Sequence, residues 1–428
     1  MTTVPAPSRS VPWHQLAALA PLRAASSEDV ILGRTPQQIV EPRSAEEVAA
    51  VLKWCNANNV ALAPRGGGTK LDWGNPPRAL DLILSTRALN RVVEHAWQDL
   101  TVTAQAACAT ADLQRTLAAH GQRLAIDPLF AAHATLGGVL ATNDSGSLRT
   151  RFGSMRDLVI GVQVALADGT LARSGGKVVK NVAGYDLPKL LTGSLGTLGV
   201  ITEATFRLHP LPQATRTLTF VCATFEDAKS SLLAIEDSTL THTGLQLRAA
   251  AGEIILDVRL EGVAAGIEVQ TERVLKLVKG RHQDPAVDVW DEAGLLWRDS
   301  AVPLPYCICR FTVLPARIAE MCARVQQVSE QAGVGWRAVA QAVGAGLLRL
   351  EGDAAQLALV TGQLRQALEA DGGSVIVLRC SQDLRGRLRE ANFDAWGTVG
   401  SALPLMRRMK EQFDPASILN PGRFVGGI

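Results

Sequence analysis

Three glycine-rich stretches constrain the fold of this 428-residue chain more than any other feature. They occupy residues 64–69, 134–146 and 193–202. Glycine lacks a Cβ atom, so a backbone built from it can lie directly against a flat or charged ligand. One such stretch alone is equally well explained as an ordinary connection between two elements. Three in one chain favour a binding site built from loops.

The first stretch follows a predicted buried strand over 60–63 and reads P-R-G-G-G-T-K from Pro64 to Lys70. Its successive backbone N–H groups can curve round an anion, and Arg65 and Lys70 add positive charge. It is not a Walker loop, because no Lys-Ser or Lys-Thr follows a G-x-x-x-x-G pattern. It is not a Rossmann fingerprint either, because no helix with a third spaced glycine follows. A flexible loop without a ligand is the alternative.

The second stretch reads A-T-L-G-G-V-L-A-T-N-D-S-G and follows a predicted strand over 123–126 and an Asp127-Pro128 turn. Its middle predicts a short helical turn seated on a core, and its polar end suits a binding loop. The third stretch leads into a strand predicted over 200–208. The H-P-L-P run at 209–212 ends that strand and is the best domain boundary in the chain.

The length of the chain predicts two or three domains. The composition is 47% hydrophobic and 20% charged with a net charge of +2, which gives no reason to expect nucleic acid or an anionic membrane as a partner. The 7 cysteines are scattered, which indicates free thiols in a reducing compartment rather than disulfides or an iron–sulfur cluster. We expect no signal peptide and no transmembrane segment, and therefore a cytoplasmic protein.

The chain changes character after about residue 213. Pairs of strands alternate with helices there, which predicts one antiparallel sheet with helices on one side, like a doubled ferredoxin-like unit. The predicted strands lie at 217–224, 245–249, 253–260, 306–314, 335–341, 345–350 and 374–379, and the predicted helices at 226–236, 266–279, 315–331 and 354–369. A last helix is predicted over 403–413, before an N-P-G-R turn.

The glycine-rich stretches belong to longer motifs in a fixed order. They run P-R-G-G-G-T, T-L-G-G-V-L-A-T-N-x-S-G, R-F-G-S-M-R-D, G-Y-D-L-x-K-L-x-x-G-S-L-G-T-L-G-V-I-T and L-N-P-G-R. Together they resemble the PCMH-type FAD-binding fold shared by vanillyl-alcohol oxidase and D-lactate dehydrogenase relatives. Within that fold they are most similar to the FAD-binding E subunits of bacterial glycolate oxidases. The resemblance is strong over 36–212 and good over the C-terminal end.

The resemblance implies an α+β fold in several parts. A two-subdomain, PCMH-type FAD-binding domain would span 33–212, and a ferredoxin-like antiparallel α+β cap would span 213–395. An N-terminal segment, 1–32, would precede them, and a C-terminal segment, 396–428, would return to the FAD-binding domain. FAD is the implied cofactor. Several relatives carry, at the position of Thr69, a histidine that bonds covalently to the flavin, and threonine cannot make that bond. We therefore expect non-covalent FAD.

The resemblance also implies which residues bind the cofactor. The first stretch would wrap the FAD pyrophosphate, and the second would line the other side of the dinucleotide. Lys70 replaces a glycine that is common in the relatives, and would add a phosphate contact. The implied residues are Pro64, Arg65, Gly66, Gly67, Gly68, Thr69, Lys70, Pro128, Thr135, Gly137, Gly138, Ala141, Thr142, Asn143, Ser145, Gly146, Gly153, Gly199, Val200, Ile201 and Thr202.

The cap departs from the hydroxy-acid dehydrogenases in this resemblance. Those enzymes carry G-H-x-G-D-G-N-L-H, whose two histidines hold a metal or the substrate. The corresponding run, 341–349, has Ala342 and Arg349 at the two histidine positions, and neither side chain can ligate a metal. We therefore predict no metal site and assign no catalytic residue.

Four other cap residues have open roles at this point. Glu253 and Asp257 are the competing candidates for a base that replaces the missing histidines. Arg310 and Arg349 could bind a carboxylate, but we expect both on the surface or in salt bridges.

Three functions are compatible with these features. In the first, the chain is the FAD-binding subunit of a glycolate (2-hydroxy-acid) oxidase complex, where a homologous FAD-containing subunit oxidises the small acid and an iron–sulfur subunit takes the electrons onward. Such partners could hold the chain at the inner face of the cell membrane. The second is a self-sufficient FAD oxidoreductase for another alcohol or acid. The third is a structural subunit with an empty or inert site. The missing histidines argue against the second, and the intact loops against the third.

Overall fold

Two β-sheets make up most of the N-terminal half, residues 11–212, in this computed structural model, which describes residues 11–176, 185–285, 288–298 and 303–428. Its strands are Leu22–Ala24 (β1), Gln38–Val40 (β2), Leu62–Arg65 (β3), Leu82–Ser85 (β4), Val92–Ala96 (β5), Thr101–Gln105 (β6), Gln122–Arg123 (β7), Val159–Ala165 (β8), Leu171–Gly175 (β9), Val200–Arg207 (β10) and His209–Pro210 (β11). Its helices are Trp13–Ala17 (α1), Ala45–Asn58 (α2), Thr110–Ala118 (α3), Leu136–Thr142 (α4), Arg149–Phe152 (α5), Met155–Leu158 (α6) and Leu187–Leu191 (α7). Residues 1–10 of the predicted N-terminal segment and Gly184 of the G-Y-D-L motif lie outside the described residues.

The first sheet delivers the first glycine-rich stretch to the site. Its strand order is β1-β2-β4-β3, and β4 pairs in parallel with both β2 and β3. Helix α2 covers it, and begins where the hydroxyl of Ser44 accepts a hydrogen bond from the N–H of Glu47 at 3.2 Å. Because β3 ends at Arg65, the glycines start at the carboxyl edge of a buried strand.

The second sheet positions the other two stretches. It is antiparallel, with the order β5-β6-β10-β8-β9. The second stretch forms α4, whose Leu136, Val139 and Leu140 are buried in the core that this sheet shares with its helices. The third stretch leads directly into β10 at Val200. The glycines next to these elements are therefore held by buried neighbours on both sides.

The cap, residues 213–395, is one long sheet with helices. Its strands are Ala214–Val221 (β12), His242–Ala250 (β13), Glu253–Gly262 (β14), Arg281–Gln283 (β15), Tyr306–Thr312 (β16), Gly335–Gln341 (β17), Ala345–Glu351 (β18) and Ser374–Cys380 (β19). Its helices are Phe225–Glu236 (α8), Ala264–Leu277 (α9), Glu292–Leu295 (α10), Ile318–Ala332 (α11), Ala354–Ala370 (α12) and Gln382–Glu390 (α13), and Leu403–Phe413 (α14) follows it. The strand order is β15-β12-β14-β13-β17-β18-β16-β19, and every pairing is antiparallel.

Alternate residues of the cap strands face opposite sides of the sheet. In β14, Leu256, Val258 and Leu260 are buried with the helices in the main cap core. On the other side, Ile308 of β16 packs in a second cluster with Trp73 of the N-terminal half. The cap sheet thus has one face under its own helices and one face against the N-terminal half. We call the second face the inner face.

The α+β architecture with an antiparallel cap is confirmed, whereas one predicted strand is wrong. Of the predicted segment 123–126 only Arg123 pairs, as part of the two-residue strand Gln122–Arg123 that lies against His209–Pro210. The side chain of Gln114 takes both backbone groups of Leu124, with distances of 2.6 Å to its oxygen and 3.1 Å to its nitrogen. Strand pairing cannot continue where a side chain occupies those groups.

Lys410 in α14 ties the C-terminal segment to the third glycine-rich stretch. Its buried ammonium donates to the backbone oxygens of Thr197 and Leu419, both at 2.8 Å, and to the Asp414 carboxylate at 2.6 Å. Burial lowers the pKa of Lys410, and the neighbouring Asp414 opposes that shift. Three buried acceptors therefore receive hydrogen bonds from the single ammonium group of Lys410.

We expect Lys410→Met to lower the free energy of unfolding by about 3–5 kcal/mol, because it leaves the buried carboxylate of Asp414 without a cationic partner and two carbonyls without their donor. Urea denaturation followed by circular dichroism measures the change. The matched control is Lys276→Met in α9, where the lysine is exposed and the expected change is below about 0.5 kcal/mol. Equal changes in the two variants would contradict this role for Lys410.

Candidate functional site

The three glycine-rich stretches line one cavity, which we call the loop cavity. Its empty volume is about 750 Å³. The predicted cofactor residues on its wall are Pro64, Arg65, Gly66, Gly67, Gly68, Thr69, Lys70, Thr135, Gly137, Gly138, Ala141, Thr142, Gly199, Val200 and Ile201. Asn420 and Arg423 of the L-N-P-G-R turn also line it. Neither residue was predicted to bind the cofactor, although the turn is the last of the ordered motifs and could have been included for that reason.

The glycines are needed because two backbone segments cross closely at this cavity. A Cβ atom on Gly66 would overlap the hydroxyl of Thr135, and one on Gly67 would overlap the carbonyl oxygen of His133. A Cβ atom on Gly137 would lie 2.8 Å from the Cβ of Ala106. Gly138 is less crowded, with 3.2 Å to the Thr135 hydroxyl. The first two stretches can therefore meet only without side chains.

The backbone of the first stretch supplies free donors to the loop cavity. Among the described residues, the N–H groups of Gly66, Gly68 and Thr69 have no protein acceptor, and that of Gly67 reaches the Thr135 hydroxyl at 3.4 Å. Successive free N–H groups in a glycine loop are the geometry that proteins use for phosphates. The residues present therefore fit the pyrophosphate of a dinucleotide.

The two cations of this stretch are already paired within the protein. Arg65 binds the carboxylate of Asp29 at 2.7 Å. Lys70 is buried, with its ammonium 3.2 Å from the carboxylate of Asp144 and 3.2 Å from the backbone oxygen of Leu129. The predicted phosphate contact of Lys70 is therefore not supported, because its charge is directed to Asp144. Anion binding in this loop rests on the backbone.

A second cavity lies between the N-terminal half and the inner face of the cap sheet, and we call it the cap cavity. Its empty volume is also about 750 Å³. Four predicted cofactor residues line it, namely Pro128, Asn143, Ser145 and Gly146. Its cap wall is formed by residues of several strands and of the segment before α10, among them Gln246, Trp290, Arg310, Val339, Gln341 and Leu347.

Asp127 is the carboxylate held most firmly in the cap cavity. It accepts hydrogen bonds from the hydroxyl of Ser147 at 2.7 Å and from the N–H of Leu148 at 3.1 Å. The guanidinium of Arg259 from the cap lies 3.8 Å away. Burial raises the pKa of Asp127, and Arg259 and the hydrogen bonds oppose that shift. The Asp127 carboxylate thus links the N-terminal half to the cap at the edge of the cap cavity.

Two predicted cofactor residues line neither cavity. Gly153 ends α5 with φ of 83°, and a Cβ atom there would lie 2.7 Å from the Cβ of Asp157, so its glycine is explained by the turn. Thr202 is buried and donates to the backbone oxygen of Gln163 at 3.2 Å. Both residues support the walls of the site rather than forming them.

Four cap residues do not lie where a role in catalysis or substrate binding would require them, namely Ala342, Arg349, Asp257 and Glu253. Ala342 packs in the core under the cap helices, so a side chain at this position does not face the cavity. Arg349 lies on the inner face but pairs with Glu351 at 2.7 Å. Asp257 is bound by Arg248 at 2.6 Å, and Glu253 is exposed at the start of β14. None of these four lines the cap cavity.

Arg310 differs from the expectation of a surface or salt-bridge role. It lines the cap cavity, and its guanidinium lies over the ring of Trp73 at 4.7 Å. Within the described residues, no carboxylate forms an ion pair with it, and no group of three or more His, Cys, Asp or Glu side chains could hold a metal ion.

Comparison with known proteins now gives the arrangement a family. The model of the FAD binding domain matches residues 36–175, and the model of the C-terminal domain of FAD linked oxidases matches residues 396–424. The chain therefore carries an FAD-binding domain, and its C-terminal end is similar to that of FAD linked oxidases. FAD is its cofactor, and the loop cavity is the place where the described residues fit the dinucleotide.

Curated relatives include several hydroxy-acid enzymes. The glycolate oxidase subunit GlcD of Bacillus subtilis is 36% identical over 202 residues, which are 47% of this chain and 42% of that protein. A D-2-hydroxyglutarate dehydrogenase of Xanthomonas citri is 29% identical over 91% of this chain and 89% of its own length. A D-lactate dehydrogenase of Archaeoglobus fulgidus is 29% identical over 90% and 91%.

Solved structures show the same fold. p-Cresol methylhydroxylase with bound substrate superposes with a TM-score of 0.74 at 16% identity, covering 96% of this chain and 95% of that one. Alkyldihydroxyacetonephosphate synthase superposes with a TM-score of 0.72 at 20% identity, covering 98% and 87%. In the part of this chain that is described, no helix is both long and apolar enough to cross a membrane.

Thr69 lies on the wall of the loop cavity, and its hydroxyl cannot form the bond that a histidine forms with a flavin. We expect acid precipitation of the purified protein to release all of its FAD into the supernatant. Absorbance of the supernatant and of the redissolved pellet measures the two fractions. Yellow colour that remains in the washed pellet would contradict non-covalent binding.

We expect Gly67→Val to lower FAD content strongly, because the new side chain would overlap the His133 carbonyl and open the crossing. Gly138→Val should lower it less, since the nearest atom is a hydroxyl at 3.2 Å. The ratio of flavin to protein absorbance measures occupancy. Gly362→Val in α12 is the control, because no atom lies within 4 Å of a Cβ atom there. Full occupancy in both site variants would show that this crossing does not hold the cofactor.

Proposed function

We propose that the chain is the FAD-binding subunit of a complex that oxidises glycolate, or a related small 2-hydroxy acid, to the 2-oxo acid. One observation carries the proposal. The loop cavity has the free backbone donors that a dinucleotide needs. The cap wall of the second cavity offers amides, apolar side chains, an arginine and the exposed carboxylate of Asp291 but, among the described residues, no histidine. The family and the hydroxy-acid relatives support the reaction class.

Oxidation of a 2-hydroxy acid removes a hydride from C2 and a proton from the hydroxyl group. Bound FAD supplies the acceptor for the two electrons. A protein group must take the proton, and a base must lie within hydrogen-bond reach of the hydroxyl. Gln341 can donate and accept hydrogen bonds there. Gln246 can only accept, because its amide nitrogen already donates to Asp257 at 3.0 Å and to the backbone oxygen of Val289 at 2.8 Å. An amide cannot take up a proton. Arg310 stays protonated, so it can orient an anion and cannot serve as the base.

This chemistry supports a helper role that depends on partners. We propose a homologous FAD-containing subunit that oxidises the acid, and an iron–sulfur subunit that receives the electrons. The 7 cysteines of this chain are all free and buried, and burial raises the pKa of Cys322 to about 12. Such thiols are poor cluster ligands because a ligand must be a thiolate. Residence in the cytoplasm, or at the inner face of the membrane through these partners, belongs to the same proposal.

A second candidate is a self-sufficient dehydrogenase for another hydroxy acid. The D-2-hydroxyglutarate and D-lactate dehydrogenases that match this chain along about nine-tenths of their own length favour it. The base would then have to be the exposed Asp291 of the cap wall or Asp127, since burial already raises the pKa of Asp127. Its hydrogen bonds to Ser147 and Leu148 occupy the oxygens that such a base would need.

Anaerobic mixing separates the two candidates. We expect the FAD-loaded chain alone to keep its flavin absorbance when mixed with excess glycolate, D-lactate or D-2-hydroxyglutarate. Among the described residues no histidine lines the cap cavity, Asp127 and Asp144 are held by protein partners, and the remaining carboxylate, Asp291, is exposed. Bleaching should appear only after the second FAD subunit is added. Rapid bleaching by this chain alone would refute the helper role, and its loss in Asp127→Asn would then identify the self-sufficient enzyme.

A further inference from the structure

The inner face of the cap sheet carries several arginines at the boundary with the N-terminal half, and most of them have a carboxylate partner. The pairs are Arg248 with Asp257 at 2.6 Å, Arg259 with Asp127 at 3.8 Å, Arg349 with Glu351 at 2.7 Å, and Arg379 with Asp72. The fold thus neutralises the guanidinium groups that it buries between its two parts. This pattern makes an arginine without a partner informative.

Arg310 is that exception. It sits on β16 between Leu347 of β18 and Ile376 of β19, one strand in from the edge of the sheet. Among the described residues it forms no ion pair and no hydrogen bond, and its contact with the ring of Trp73 leaves its donors free. The side chain is partly buried, and burial lowers the pKa of Arg310.

A second guanidinium faces the same cavity from the other side. Arg149 of α5 lines the cap cavity, and it also forms no ion pair within the described residues. The charge of Arg149 adds to the lowering of the Arg310 pKa, and the carboxylate of Asp144 opposes that lowering more strongly. That carboxylate is already bound by Lys70 at 3.2 Å, so it is not a separate partner for either arginine.

Two like charges facing each other across a partly dehydrated cavity are costly unless an anion lies between them. A guanidinium matches a carboxylate well, because two parallel N–H groups can reach its two oxygens. Val339 and Leu347 form an apolar part of the same wall, which suits a short carbon chain better than a phosphate or a sugar acid.

We propose that Arg310 and Arg149 form a carboxylate-binding site in the cap cavity, which takes a small organic acid such as a 2-hydroxy acid or its 2-oxo product. The identity of the acid rests on the proposed function, whereas the site itself rests on the two arginines. It follows that this chain can bind the acid even where it lacks the base to oxidise it.

Isothermal titration calorimetry of the FAD-loaded chain tests the site with oxalate, a carboxylate that the flavin cannot oxidise. We expect oxalate to bind and the uncharged oxamide not to bind. Arg310→Gln should weaken oxalate binding by about tenfold to a hundredfold, as expected for a lost hydrogen bond to a charged group. Arg310→Lys should weaken it less, because it keeps the charge and loses the paired donors.

The control is Arg337→Gln, which removes the same charge from the same sheet at an exposed position of β17. It should leave oxalate binding and FAD content unchanged. Arg149→Gln tests the other side of the cavity, and it keeps the test decisive if Arg310→Gln does not fold. Near-ultraviolet circular dichroism, which reports on Trp73, identifies a folding defect.

Three outcomes would overturn the site: no oxalate binding by the wild-type chain at millimolar concentration, equal binding of oxamide, or unchanged binding in folded variants at both arginines. The proposed function fails separately. If oxalate binds through Arg310 but no hydroxy acid bleaches the flavin even with the second subunit, the site stands and the reaction is wrong. If hydroxy acids, with the second subunit present, bleach the flavin at the same half-saturating concentration in Arg310→Gln and in wild type, the reaction stands and the site is wrong.

Discussion

The contact between residues 66–67 and 133–135 is the constraint on which the rest of the structure depends. Two backbone segments, one that follows β3 and one that precedes α4, meet there at a distance that excludes a Cβ atom. The contact holds Gly67 against the Thr135 hydroxyl, and the N–H groups of Gly66, Gly68 and Thr69 have no acceptor among the described residues. The same glycines therefore allow the close contact and supply the donors of the anion site. Structural and functional reasons for glycine coincide at these positions.

The two cavities are linked through the residues that follow this contact. Lys70 leaves the glycine loop and pairs with Asp144 on the second stretch, and Asp144 also lines the cap cavity. Trp73, three residues later, packs with Ile308 and Val339 on the inner face of the cap sheet. A change in the path of the first loop would therefore move the wall of both cavities, which connects cofactor binding to the position of the cap.

The functional conclusion depends on a contrast between these two cavities. One has the backbone donors that an FAD pyrophosphate needs, and the family match agrees with it. The other has an arginine, amides and the exposed Asp291 on its cap wall and, among the described residues, no imidazole. The carboxylates that the N-terminal half contributes, Asp127 and Asp144, are held by protein partners. Such a surface can orient an acid and is poorly equipped to take its proton. This contrast is why a subunit that works with a catalytic partner explains the chain better than a complete enzyme.

The sequence by itself determined the α+β layout of the cap through local patterns, and the FAD-binding fold and the cofactor through the resemblance of its ordered motifs to a known family. Period-two strands, capped helices such as the one that begins after Ser44, and the ordered glycine motifs can be recognised without any long-range contact. The one strand predicted wrongly, at 123–126, failed through a side chain: Gln114 takes the backbone groups of Leu124, and no local pattern reveals that partner.

Only the tertiary structure decided what the charged residues do. Arg310 and Arg349 look alike in the sequence, since both lie on predicted cap strands. Arg349 has Glu351 two positions away on the same face of its strand, whereas the neighbours of Arg310 come from other strands and from the N-terminal half. Lys70 likewise lies in a phosphate-binding motif but pairs with Asp144. The role of a charge is set by the partner that the fold brings within a few ångströms, and that partner is distant in sequence.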